Sequence, residues 1–161
     1  MMKICLIDTS IFLEILNVPS KSQEHEKTLE DLKSHVEAGC NLFLPMATII
    51  ETGNHIAQNG NSAVRRETAT RFVKMIKATL ANEAPWSPTS TVSIDTMESW
   101  LDQFPDYAMR DKTPKKEEGT SFGDLIIIKD WEKFCKQNPH SEVFIWSKDS
   151  DLQALHQNKE S

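Results

Sequence analysis

Three short apolar runs without alternation stand along the chain: Lys3 to Ile7, Asn41 to Leu44 and Val143 to Trp146. Unbroken runs of this length read as strands covered on both faces, because a strand with one wet face alternates apolar and polar residues. Between them the pattern takes a helical period. His25, Leu29, Leu32 and Val36 recur at spacings of four, three and four, an amphipathic helix that ends at Gly39. Pro45 closes the second run, and a helix-like segment from Ala47 to Gln58 carries Glu51. Beyond the Asn59-Gly60-Asn61 turn, Ala69, Phe72, Ile76 and Leu80 mark a longer helix whose outer face holds Arg65, Arg66, Arg71, Lys74 and Lys77. Residues 84–93 read as a loop with room for a short strand, and a short helix near Asp95 to Gln103 precedes a long polar loop over 105–120. From Ser121 to Gln137 the period is clearest: Asp124, Ile127, Ile128, Trp131 and Cys135 share one face.

Strands alternating with helices predict one α/β domain over residues 4–156, a three-layer α/β/α sandwich with a mainly parallel central sheet. In such sheets ligands bind beyond the carboxyl ends of the strands. Asp8 directly follows the first strand, Asp149 lies just past the last, and Glu51 falls within about two helical turns of the second. Asp124 sits in the first turn of its helix, on the apolar face. Four acids from distant parts of the chain are thus aimed at one rim. Singly, each has a plainer explanation: Asp8 as a helix N-cap, Glu51 as a solvated helix residue, Asp149 and Asp151 as caps of the last helix. Asp124 resists this, since an ionised group on an apolar face is costly without a partner.

Composition narrows the chemistry. With 161 residues, 39% of them apolar, the chain can build one core without disulfides. Cys5, Cys40 and Cys135 are odd in number and too dispersed for a disulfide framework or a Cys-rich zinc site, so a reducing, cytoplasmic location is expected. The first apolar run is too short for a signal-peptide core or a membrane span. A net charge of −6 counts against a nucleic-acid partner. Two divalent cations among the four acids would offset most of it. Crowded carboxylates repel one another, and an all-oxygen cluster suits Mg²⁺ or Mn²⁺ better than zinc. Such ions activate water and polarise a phosphodiester, so phosphodiester hydrolysis is the reaction this cluster suits.

The segments Asp8-Thr9-Ser10-Ile11, Glu51 on its helix, Gly123-Asp124-Leu125-Ile126-Ile127 and Ser147-Lys148-Asp149-Ser150-Asp151-Leu152 together resemble the PIN-domain family, over nearly the whole chain. The resemblance implies a parallel-sheet sandwich and a Mg²⁺ or Mn²⁺ site made by Asp8, Glu51, Asp124 and Asp149, with Asp151 as a further candidate ligand. It implies endonuclease activity, most often on RNA. Many small members are toxins of bacterial toxin–antitoxin pairs, so a protein inhibitor (antitoxin) and a homodimer join RNA among the expected partners. Ser147 and Leu152 stand where the family usually has Thr and Phe; Ser147 can hydrogen-bond as Thr would, and with Thr9 and Ser10 it is a supporting residue. The chain is longer than compact toxin members, chiefly through 105–120.

Arg65, Arg66, Lys115 and Lys116 are candidate phosphate contacts, against the plainer reading of solvated faces. Asn54 and His55 lie one turn beyond Glu51, where either could orient a ligand or a water; His55 is not needed as a base where a metal activates the water. A phosphoryl-transfer enzyme of the haloacid-dehalogenase type needs a second acid where Ser10 stands, and a dinucleotide-binding fold needs a glycine-rich loop after Ile7. The remaining alternative is a catalytically inactive PIN-like binding or regulatory module, which the presence of all four acids disfavours.

Overall fold

The structure, a computed structural model, describes residues 1–90, 92–110 and 118–160. Its strands are β1 (Lys3–Ile7), β2 (Asn41–Leu44), β3 (Trp86–Pro88), β4 (Glu142–Trp146) and β5 (His156–Gln157). Its helices are α1 (Thr9–Ile15), α2 (His25–Glu37), α3 (Met46–Gln58), α4 (Ser62–Leu80), α5 (Ile94–Met109), α6 (Phe122–Gln137) and α7 (Ser150–Gln153). The strands form one sheet in the order β3-β2-β1-β4-β5, parallel except for β5. Cys5 of β1 aligns with Leu42 on one side and Phe144 on the other, so β1 is the central strand.

The pleat of the apolar strands supplies two cores. Cys5, Ile7, Leu42 and Leu44 face one core with Phe12, Val18 and Trp86, covered by α1, by Leu32 of α2 and by Phe72 and Ile76 of α4. Leu6 and Ile145 face the other, with Ile127, Trp131 and Phe134 of α6 and Leu152 of α7. Burial of each such aliphatic side chain contributes roughly 1.5–3 kcal/mol. Helix α3 joins the two layers, giving Ile56 to the first core and Ala47 to the second. It lies at the carboxyl rim, where Thr48 Oγ1 donates 2.8 Å to the carbonyl of Ile7, the last residue of β1. The expected α/β/α sandwich with its mainly parallel sheet is the fold observed.

Three details differ from the pattern. On α2, Leu29 and Val36 are exposed, while Thr28 is buried and Leu32 and His35 are half-buried. The His35 ring sets this orientation by packing against Phe144 and Trp146, with centroids 5.7 and 4.8 Å away. Leu80 likewise points outward and Thr79 inward, where its hydroxyl accepts the Trp86 indole N–H at 2.8 Å. Helix α5 does not stop at Gln103 but runs through Pro105 to Met109, which corrects the expected loop over 105–120 at its first residues. Proline forfeits one intrahelical N–H bond. Packing compensates: Phe104 meets Phe122 edge-on at 5.3 Å, and the Thr120 N–H bonds to the Tyr107 carbonyl at 3.1 Å. Lys112, Lys115 and Lys116 lie outside the described residues.

The other end of the sheet carries a buried ion cluster. Glu142 faces His156 Nε2 at 2.7 Å and Lys3 Nζ at 3.3 Å. Burial pushes its carboxyl up, but the hydrogen bonds from His156 and Lys3 outweigh burial and hold it below the usual glutamate value. A carboxyl with a lowered folded-state pKa adds stability above its unfolded pKa and loses it as pH falls through the folded one. Glu142→Gln is therefore expected to lower the melting temperature at pH 7, and the gap to wild type should close below about pH 4, the ordinary glutamate range. Thermal melts across that range check this; a constant gap at every pH would contradict it.

Candidate functional site

The carboxyl rim begins where β1 ends. Asp8 is extended (φ −77°, ψ 160°) and its N–H bonds to the Trp146 carbonyl of β4 at 3.0 Å. It occupies the N-cap position of α1, yet its side chain makes no capping hydrogen bond. Instead Oδ2 accepts from Ser10 Oγ at 2.9 Å and from Ser147 Oγ at 2.6 Å, in a position only 4% exposed. The capping explanation of Asp8 therefore fails. Buried Thr9 donates to Glu51 Oε2 at 2.8 Å, so Glu51 is a held, half-buried group rather than a solvated one. Consecutive residues 8–10 thus grip both the end of β4 and the first half of α3.

Ser147 and Ser10 organise the last loop. Each hydroxyl gives its single hydrogen to Asp8 and accepts a backbone N–H: Ser147 from Asp149 at 2.9 Å, Ser10 from Lys148 at 3.0 Å. Asp149 is bound into the rim in this way, and its Oδ1 caps α7 by accepting from the N–H groups of Asp151 and Leu152 at 2.9 and 3.4 Å. For Asp149 the plainer explanation is correct but incomplete. Asp151 is exposed in the first turn of α7.

Helix α6 brings the fourth acid. Ser121 Oγ accepts the Asp124 N–H at 3.1 Å, a cap that starts the helix and puts Asp124 in its first turn, half-buried. The preceding residue shows how close α6 comes to α3. A Cβ on Gly123 would lie 1.6 Å from Glu51 Oε1. Gly123 is thus needed for the Glu51 carboxylate to occupy its place, a role the sequence pattern marks only by a glycine next to Asp124.

A second supporting pair lies outside the motifs. Glu14, fully buried on α1, accepts the Lys148 ammonium and the backbone N–H groups of Gln23 and Glu24, each amide at 3.0 Å. Burial pushes its carboxyl up, while the Lys148 and backbone hydrogen bonds hold it below the usual range. Lys148 lies between Ser147 and Asp149, so this pair anchors the rim loop to α1. Its sequence signal is an acid inside the apolar run from Ile11 to Leu16.

Other candidates fall outside this network. Arg65 donates to the Gly60 carbonyl and Arg71 to the Leu16 carbonyl. Arg65 and Arg66 line an apolar groove of about 710 Å³ between α3 and α4, with Gly53, Ile56 and Phe72. Asn54 is exposed, and His55 is held below its usual pKa first by partial burial and then by Lys21. Among the described residues no three His, Cys, Asp or Glu side chains form a metal-ligand group. The hydroxyls of Thr9, Ser10 and Ser147 tie Glu51 and Asp8 into the rim.

A family model described as PIN domain matches residues 5–158. No curated protein and no solved structure matches the chain. Among the described residues no helix is long and apolar enough to cross a membrane.

Gly123 lies in the first turn of α6, where alanine is also accommodated, so Gly123→Ala should leave the fold intact, because the side chain that must yield is the flexible carboxylate end of Glu51. The displaced Glu51 should then lose its bond from Thr9. Expected is an unchanged or higher melting temperature together with at least a tenfold loss of rim activity, on the order of what a misplaced site residue costs. Full activity in this variant would show that the Glu51 position is not required.

Proposed function

The chain belongs to the PIN-domain family, and from that premise we propose that it is a divalent-metal-dependent endonuclease hydrolysing phosphodiester bonds in RNA, with Asp8, Glu51, Asp124 and Asp149 as its working acids. The observation that carries this is Asp8: a buried carboxylate at the end of the central strand, oriented by two serine hydroxyls and, among the described residues, not neutralised by a cationic side chain. Both hydroxyls converge on Oδ2, which fixes the plane of the carboxylate and leaves Oδ1 as its remaining acceptor.

The donor set suits Mg²⁺ or Mn²⁺. It consists of carboxylates and hydroxyls, while Cys5 is packed in the core away from the rim. Asp8, Glu51, Asp124 and Asp149 would hold the ion, with exposed Asp151 within the same loop. When bound, such an ion supplies Lewis acidity to a phosphoryl oxygen and lowers the pKa of water. The chain's own part is orientation. Thr9 aims Glu51, Ser10 and Ser147 aim Asp8, and the Glu14–Lys148 pair steadies the loop that carries Asp149.

Phosphate contacts by Arg65 and Arg66, with Lys115 and Lys116, belong to the same proposal, supported by the exposure of Arg66. A toxin role in the cytoplasm, a protein inhibitor and a homodimer complete it. The apolar groove between α3 and α4 supports the partners.

Purified protein incubated with mixed RNA and single-stranded DNA should cut RNA in Mn²⁺ and not in EDTA. Asp8→Asn should abolish cutting without unfolding, and Ser147→Ala should reduce it by about 10–100-fold, the usual cost of losing a partner of a metal ligand. Equal cutting in EDTA or by Asp8→Asn would overturn the metal mechanism; intact RNA under every condition would favour the non-catalytic binding module. Across a salt series, Arg65→Gln with Arg66→Gln should flatten the dependence of RNA affinity on salt, by about 0.7 for each phosphate no longer neutralised. An unchanged slope for this pair and for Lys115→Gln with Lys116→Gln would remove them from the interface.

A further inference from the structure

We propose that the cleft between α6 and residues 89–90 and 92–100 is a guanine-binding pocket, with Asp130 as its base-reading group, that selects one nucleotide of the RNA substrate. Selection within RNA rests on the nuclease proposal above; guanine binding does not.

Asp130 is anomalous among the buried acids. Asp8, Glu14 and Glu142 each accept hydrogen bonds from hydroxyl, backbone, ammonium or imidazole donors. Asp130 is only 7% exposed, yet among the described residues it has no hydrogen bond and no ion pair. Burial pushes its carboxyl up to about 6, against the opposing charge of Lys133. Its oxygens are not sealed from solvent, and Asp130 lines two clefts, so the donors of a ligand can reach it.

Two adjoining clefts open onto Asp130, of about 340 and 210 Å³. The larger is lined also by Ser93, Thr96 and Trp100, the smaller by Phe134, and Ser90 and Lys133 border both. The larger volume is at the lower end of small-ligand sites. A carboxylate at the base of a cleft accepts two parallel hydrogen bonds. Among the four RNA bases only guanine presents two adjacent donors, N1–H and the N2 amino group, on its pairing edge. Adenine and cytosine set an acceptor nitrogen beside their amino group, and uracil flanks its one N–H with carbonyls. Aromatic side chains provide the faces on which unpaired bases pack, and Trp100, half-buried in the wall of the larger cleft, is in place to do so, while Phe134 is packed against Phe43. Lys133, whose Nζ reaches Ser90 Oγ at 3.3 Å, is an exposed cation for the attached phosphate.

The pocket is tied to the rim. The Thr89 N–H bonds to the Leu44 carbonyl at 3.2 Å, and Thr89 Oγ1 accepts the Met46 N–H at 3.1 Å, so its wall hangs from the end of β2 where α3 begins. Asp130 follows Asp124 by six residues on α6, about 9 Å along the helix axis. The same step turns Asp130 about 120° around the helix from Asp124, so a strand joining the two passes partly around α6.

Calorimetric titration of the full chain in EDTA with GMP, AMP, CMP and UMP separates the pocket from catalysis. GMP should bind at least about tenfold more tightly than the others, and Asp130→Asn should erase that preference, as removal of a bidentate base-reading group does. Trp100→Ala, on a different helix, should weaken GMP without depending on how Asp130→Asn folds. Equal binding of all four nucleotides, or GMP preference unchanged in both variants, overturns the proposal. Sequencing of RNA ends should then show guanine at a fixed offset from the cut for wild type and not for Asp130→Asn. GMP preference without that enrichment overturns selection in RNA and assigns the pocket to free guanine nucleotide. GMP binding by a protein that cuts no RNA would sink the nuclease proposal and leave the pocket standing.

Discussion

A carboxylate at the end of a buried central strand cannot be left without donors, and Asp8 draws them from both ends of the chain. Ser10 is its near neighbour, and Ser147 lies 139 residues away. Because both hydroxyls also accept backbone N–H groups from the β4–α7 loop, one acid fixes the path of that loop. The same logic extends through Thr9 to Glu51 and through the close approach of Glu51 and Gly123 to α6. The rim is therefore a chain of polar contacts over two apolar cores. The cores bring the elements together, and the polar contacts choose the final placement.

The buried acids of this domain differ in how their charge is met. Glu14 and Glu142 are met by cations or imidazole, and serve as fasteners between elements. Among the described residues Asp8 is met by neutral hydroxyls, which orient a carboxylate without a cationic side chain to compensate its charge. That leaves the charge available to a ligand cation, as a lysine partner would not. An ammonium such as that of Lys148 in direct contact would compete with such an ion; here it is drawn to Glu14 instead.

The three core strands are legible because each is an unbroken apolar run, whereas β5, two residues long, offers no pattern to read. On α2 and α4 the apolar pattern finds Leu32, Ala69, Phe72 and Ile76 on the core but also turns Leu29, Val36 and Leu80 inward, where threonines lie instead, for a specific reason. Thr28, Thr68 and Thr79 each return their hydroxyl to the carbonyl four residues back, at 2.8–2.9 Å, and bury what remains. Scored as polar, these threonines look outward; with the hydroxyl satisfied inside the helix they pack as apolar groups. Order along the chain is enough to aim Asp8, Glu51, Asp124 and Asp149 at one edge. What it does not convey is contact across distance: that Lys148 finds Glu14, or that Gly123 makes room for Glu51.

The central position of β1 has a consequence for the chain as it is made. Synthesis proceeds from the amino end and domains generally fold as units while emerging. Residues 1–90 can pair β1 with β2 and β2 with β3 early, but β4, the other neighbour of β1, comes last among the parallel strands. Until it docks, Asp8 lacks Ser147 and the rim lacks Asp149. A growing chain is thus without a complete rim until β4 has emerged and docked. Placing β4, the last of the parallel strands, beside β1 ties completion of the rim to the order of translation.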